Sequence, residues 1–177
     1  MITPDHFLNR PYRIPDLEER SEDFQNFVDF HEKDVLKKLL GTVFYDALVA
    51  GLAAGSPDAK WTDLKNGGVT YEYAGCTYKY DGLIELLKPI IYALWLRDIH
   101  DKITGSGVVR NIKDKTEYIN PGRRITLAQN EFAKRVGDEC NHEDTLYGYI
   151  YSRYTDYVDD FNDWRFTAPG YENVFGI

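Results

Sequence analysis

A chain of 177 residues, 43% of them hydrophobic, can bury one sizeable core and is most simply one domain. Its formal net charge of -8 argues against the basic footprint by which proteins grip nucleic acid. Cys76 and Cys140 have no CxxC partner, and MITPDHFLNR at the start has no basic-then-apolar secretion signal, so zinc ribbons, disulfide scaffolds and export are not indicated and a reducing compartment is the default.

Residues 1–20 carry Pro4, Pro11 and Pro15 with scattered Phe7, Tyr12, Ile14 and Leu17, a pattern that predicts an extended N-terminal arm. Such an arm lies either on its own chain or on another subunit. Ser21, with Glu22 and Asp23 after it, opens a helix with Phe24, Phe27, Val28, His31, Val35, Leu36 and Leu39 on one face, and Gly41 closes it. A second helix, Thr42 to Ala54, presents Val43, Phe44, Leu48 and Leu52. Trp61 and Leu64 then suggest one helical turn before Asn66-Gly67-Gly68. Alternation in residues 69–80, with Tyr71 and Tyr73 before the Ala74-Gly75 turn and Tyr78 and Tyr80 after it, predicts a two-stranded hairpin.

The central element is Gly82 to Thr104. Leu83, Leu86, Leu87, Ile90, Ile91, Leu94, Trp95, Ile99 and Ile103 recur at helical spacing, and Ile84, Tyr92, Ala93 and Leu96 extend the apolar face nearly all the way round. Pro89 predicts a kink or a restart. The longest charge-free run here, Pro89 to Leu96, falls well short of the ~20 residues that a bilayer span requires. Residues 105–120 form a long, locally basic loop, which is a length usually reserved for function or disorder.

Pro121 opens a helix with Ile125, Leu127, Ala128, Phe132 and Val136 inward, and a last helix, Thr145 to Trp164, carries Tyr147, Ile150, Tyr151, Tyr154, Tyr157, Val158 and Phe161. Between Asp138 and Asp163 stand eight acidic residues and one basic residue, Arg153, so this stretch holds -7 of the chain's -8. The acidity suits either an ordinary solvated face or a wall that DNA slides past by like-charge repulsion. Residues 165–177 form a C-terminal arm in which Phe166, Tyr171, Val174, Phe175 and Ile177 are too apolar to stay in water and predict docking into a groove of this subunit or a partner. The expected fold is mainly α: a helical bundle, residues 21–164, around a central hydrophobic helix, with an inserted β-hairpin and extended N- and C-terminal arms. Fourteen tyrosines against one methionine hint at surfaces that meet a partner.

No GxSxG, HExxH, calcium loop, Walker sequence or GxGxxG is present, and no catalytic, cofactor-binding or metal-binding residue is assigned. His31 and Glu32 are adjacent on a helix and point about 100° apart. Cys140-Asn141-His142, beside Glu139 and Glu143, supplies too few ligands for a metal site.

The run FQNFVDFHEKDVLKKLLGTVFYDALVAGL, then KWTDLKNGG, a tyrosine-rich hairpin, YDGLIELLKPIIYALWLRD and a TGSGVV loop resembles small proteins from the structural gene blocks of tailed phages and prophages of Bacteroides-like bacteria. It is similar to the head-tail connector class, the adaptor or head-completion ring proteins of the neck. The likeness covers roughly Phe24 to Asn130. It rests on Leu39-Leu40-Gly41 with Phe44-Tyr45, on Trp61, Leu64 and Asn66-Gly67, and on Gly82-Leu83. The resemblance implies a homo-oligomeric ring, commonly a dodecamer, assembled in the host cytoplasm and placed in the virion between portal and tail. DNA passes through the ring without specific binding, there is no membrane partner, and an adjacent neck or tail ring protein docks on the far side. On that reading Asp156, Asp159, Asp160 and Asp163 line the channel. The arm residues from Phe166 to Ile177 reach the portal or an adjoining ring, and Tyr71, Tyr73, Tyr78 and Tyr80 clasp neighbouring subunits. A second reading is a cytoplasmic protein-binding or regulatory module of a mobile element, and a third is an enzyme of unknown type.

Overall fold

A computed structural model of the chain describes residues 1–14, 17, 21–101, 121–138, 140–156 and 161. Helix α1 (Ser21–Leu40) carries Glu22 and Asp23 in its first turn and Lys37 and Lys38 in its last, the signs that its dipole favours. Gly41, at φ 79°, ends it and leads straight into α2 (Thr42–Ala53). Asp58 caps α3 (Ala59–Asn66) by accepting the Lys60 N–H at 3.2 Å, so the expected single turn becomes a full short helix. Strands β1 (Val69–Tyr73) and β2 (Cys76–Tyr80) pair antiparallel with Tyr71 opposite Tyr78. Ala74 and Gly75 both take positive φ, as a two-residue hairpin turn requires. The remaining helices are α4 (Leu83–Asp101), α5 (Pro121–Val136) and α6 (Leu146–Asp156). The chain is mainly α with one inserted hairpin among the described residues.

Helix α4 is the axis of the core. Leu83, Leu86, Leu87, Ile90, Ile91, Tyr92, Ala93 and Trp95 are all buried, and α5, α1 and α3 pack against them. Three expected inward residues face out instead: Val43 is 67% exposed, Leu127 58% and Ile99 39%. The reason is angular. In α2 the core face is set by Phe44 and Leu48, and in α5 by Ala128, Phe132 and Val136, so a neighbour one residue earlier is turned about 100° away. The loop 105–120 and the C-terminal arm 165–177 lie outside the described residues, as does most of the expected last helix beyond Asp156.

The N-terminal arm lies on its own chain. Its 3-10 turn, Pro4–Phe7, sits against α1, with Ile2, Phe7, Ile14 and Leu17 buried. The Phe7 ring meets Phe24 edge-on at 5.0 Å, and Phe24 meets Trp95 at the same distance. The Glu32 carboxylate accepts from the Met1 amine and the Ile2 N–H, both at 2.8 Å. Glu32 is therefore committed to the arm and is no partner for His31 in a metal site.

The hairpin leaves and rejoins the helical body at one point. The Gly68 N–H donates to the Tyr80 carbonyl at 2.8 Å, and Gly67 and Gly82 approach so closely that a Cβ on Gly82 would stand 2.4 Å from the Asn66 carbonyl carbon. Both glycines have positive φ, which a larger residue would adopt only under strain.

Pro89 neither stops α4 nor makes it restart, and the helix spans Leu83–Asp101. A proline at 89 cannot donate to the carbonyl of Glu85, one turn back. Arg135 of α5 donates to that carbonyl instead, Nη1 to oxygen at 3.1 Å, while its Nε pairs with Glu131 at 2.9 Å. Replacing Arg135→Ala strands the Glu85 carbonyl and is expected to cost about 1–3 kcal/mol in urea unfolding. In a Pro89→Ala background, which restores a backbone donor, the same change is expected to cost less. Strict additivity of the two would refute this account of α4.

Candidate functional site

The four hairpin tyrosines divide into two pairs. Tyr71 and Tyr80 are 5% and 2% exposed, so their rings belong to this chain's core and are not offered to a neighbouring subunit. Alternation explains the burial, since one face of the hairpin must lie on something apolar and α6 is what it meets. Tyr80 stacks on Tyr149 with centroids 4.4 Å apart and planes within 6°, and its hydroxyl donates to the Leu64 carbonyl at 3.0 Å. The Tyr71 hydroxyl donates to the His142 carbonyl and accepts the Thr145 N–H at 3.2 Å. Tyr73 and Tyr78 are half-buried. Tyr73 stacks on the His142 ring at 4.2 Å, and Tyr78 tilts against Tyr71 at 5.7 Å.

Thr145 and Gly148 make this junction possible. Thr145 caps α6, its hydroxyl accepting the Gly148 N–H at 3.0 Å. A Cβ on Gly148 would stand 2.1 Å from the His142 carbonyl oxygen and 2.5 Å from the Tyr71 hydroxyl. Only a residue with no side chain lets the helix come so close to the turn before it. Tyr149, buried at the centre of the cluster, escaped sequence reasoning because Tyr147, Ile150 and Tyr151 already satisfied a helical stripe. The signal that could have found it is the small Gly148 directly before it.

Part of the acidic stretch is structural. Asp138 accepts the Cys140 and Asn141 N–H groups at 2.7 and 3.0 Å, and Asp144 accepts the Lys79 N–H of β2 at 2.7 Å. Asp156 ends α6, while Asp159, Asp160 and Asp163, expected in the channel wall, lie outside the described residues. So do the expected docking residues Phe166, Tyr171, Val174, Phe175 and Ile177.

Two surface clefts stand out. One, of about 360 Å³ between α1 and α4, brings His31 together with Asp34, Lys38, Arg97 and Asp98. Burial pulls the His31 pKa below its ordinary value, against the opposing pull of Asp34 and Asp98. The other, of about 580 Å³, lies between the N-terminal arm, α4 and α5, and gathers Arg10, Arg13 and Arg124 around Tyr12, Tyr92 and the exposed Leu127. The Tyr12 and Tyr92 rings meet at 5.5 Å, and burial, then the charge of Glu131, raises the Tyr12 pKa. Among its described lining residues are three arginines, two tyrosines and one carboxylate, Glu131. No cluster among the described residues gathers the three or more His, Cys, Asp or Glu side chains that would hold a metal ion. No helix among them is long and apolar enough to cross a membrane.

Comparison with protein-family models, curated proteins and solved structures finds no match to this chain.

Replacing Tyr71→Phe strands a carbonyl and an N–H and is expected to cost about 2–4 kcal/mol in chemical denaturation. Burial holds the Tyr80 hydroxyl well above its ordinary value of 10.0 and raises Tyr71 in the same direction. The unfolded chain therefore loses these protons first as pH rises, and the contribution is intact below about pH 10 and lost above it. Stability is expected to fall as pH rises above about 10, the unfolded value, and Tyr80→Phe is expected to flatten that fall in urea titrations.

Proposed function

We propose that this chain is a structural subunit of the tailed-phage neck, forming a ring between portal and tail that extends the DNA channel and docks the next neck or tail protein. The observation that carries the reading is the coherence of the residues on which the resemblance rests. Leu39 and Leu40 are buried at the end of α1, Phe44 meets Trp61 edge-on at 5.7 Å, Leu64 is buried, and Gly67 touches Gly82 at the junction that launches α4. They form one continuous frame around the central helix.

In this reading the ring assembles in the host cytoplasm and ends in the virion, with DNA passing through unbound. The C-terminal segment holding Phe166, Tyr171, Val174, Phe175 and Ile177 reaches the portal or an adjoining ring. Light scattering of the chain alone and with its portal, followed by electron microscopy of the large species, tests the proposal. The expected result is a closed ring, or monomers that the portal recruits as a ring. A monomer indifferent to the portal would overturn the ring and favour the protein-binding module. Deleting residues 166–177 is expected to abolish portal binding, and unchanged binding would refute the role given to that segment.

A further inference from the structure

The arginine cleft bounded by the N-terminal arm, α4 and α5 has no counterpart in the reading above. None of Arg10, Arg13 and Arg124 has an ion-pair partner among the described residues. Among the described residues the one carboxylate in the cleft wall, Glu131, is paired with Arg135 at 2.9 Å. The cleft is thus a concentrated cationic site on a chain of net charge -8. Its floor is aromatic, from Tyr12 and Tyr92, and its rim is apolar, from Leu127, which is 58% exposed.

The chain itself carries a segment of complementary chemistry. Residues 156–163 read DYVDDFND, four carboxylates and two aromatic rings with no basic residue. Phe161 of that segment is buried among Phe44 of α2, Trp61 of α3 and Tyr149 of α6. Phe161 thus has its seat on α2, α3 and α6, and Asp159 and Asp160 directly precede it in the sequence. Among the described residues the seat and the cleft are built from different elements, the cleft from the arm, α4 and α5. A surface that differs from its complement on the same molecule joins copies head to tail, the heterologous contact from which rings are made.

We propose that the Arg10–Arg13–Arg124 cleft of one copy holds the acidic segment 156–163 of the next, and that this contact is the joint between neighbouring subunits. The inference rests on the ring reading and deepens it. It places Asp159 and Asp160 at the joint between copies, in place of the channel wall suggested by sequence. Guanidinium groups pair with carboxylates through paired N–H donors, and the tyrosine floor offers an aromatic face to the Tyr157 ring. The contact is charge-dominated, so it is salt-sensitive.

Two measurements on the full chain test it. The first is fluorescence anisotropy of a labelled peptide of residues 154–165 titrated with the protein, beside a peptide with its aspartates changed to asparagine and a single-stranded oligonucleotide. The acidic peptide is expected to bind, to weaken roughly tenfold or more between low and high salt, and to lose binding to the Arg10→Glu, Arg13→Glu, Arg124→Glu triple variant. Equal binding of the asparagine peptide, binding by the triple variant, or a preference for the oligonucleotide would overturn the proposal. The second is light scattering, with portal present, of that triple variant and of a variant with Asp156, Asp159, Asp160 and Asp163 changed to lysine. Each alone is expected to fail to associate, and a mixture is expected to recover association because each then offers what the other's surface accepts. Rings that persist in the triple variant would sink the joint while leaving the ring reading intact. Arginine-dependent peptide binding and recovery on mixing, without any closed ring, would sink the ring reading while leaving the joint intact.

Discussion

A helix that presents large apolar side chains around nearly its whole circumference must be covered on nearly every side, and α4 imposes that requirement on everything else. Helix α5 provides the largest contact, α1 and α3 pack on it as well, and the arm brings Tyr12 against Tyr92. The cover is also what keeps α4 whole. Pro89 removes one backbone donor, and the carbonyl it abandons is bonded by a side chain of the covering helix. The central helix is thus stabilised by the neighbour that buries it, and α4 and α5 are expected to fold as one unit.

The hairpin poses a separate problem, because two strands alone are marginal in water. It is solved by attachment at both ends. At its base Gly67 and Gly82 let the strands leave and rejoin the bundle at one point, and on its face Tyr71 and Tyr80 reach α6 and the end of α3. Their hydroxyls bond main-chain atoms, so each ring acts as a long spacer with a polar tip. Phenylalanine would fill the same volume but leave those backbone groups stranded.

Periodicity made α1, α4, α5 and the hairpin legible in sequence, because each buries a regular stripe, and Gly41 and the Ala74-Gly75 turn mark where α1 ends and the hairpin reverses. The stripe was less reliable residue by residue. Val43 and Leu127 satisfy an apolar pattern and are exposed, because hydrophobicity marks candidates for a face while the facing helix decides which of them are used. The continuity of α4 through Pro89 was illegible, since the donor that rescues it comes from another helix. The arginine cleft was illegible for the same reason. Arg10 and Arg13 lie in a proline-rich arm and Arg124 in a distant helix, and nothing local in either segment announces that they meet.

Composition also misleads about tyrosine. Fourteen tyrosines suggested partner surfaces, yet Tyr71, Tyr80, Tyr147 and Tyr149 are buried within this chain, where they hold the hairpin to α6. An interface built by such a molecule has to draw on what the core leaves over. What it leaves over is charge: Asp138 and Asp144 are consumed by turn and hairpin, while three arginines line a cleft with no paired carboxylate of their own among the described residues. Unlike an apolar patch, two such surfaces of opposite sign repel their own kind, so they disfavour face-to-face pairing and favour a single direction of association. In the proposed ring, where each subunit adds to its neighbours in one sense around an axis, that directionality matters more than the strength of any one contact.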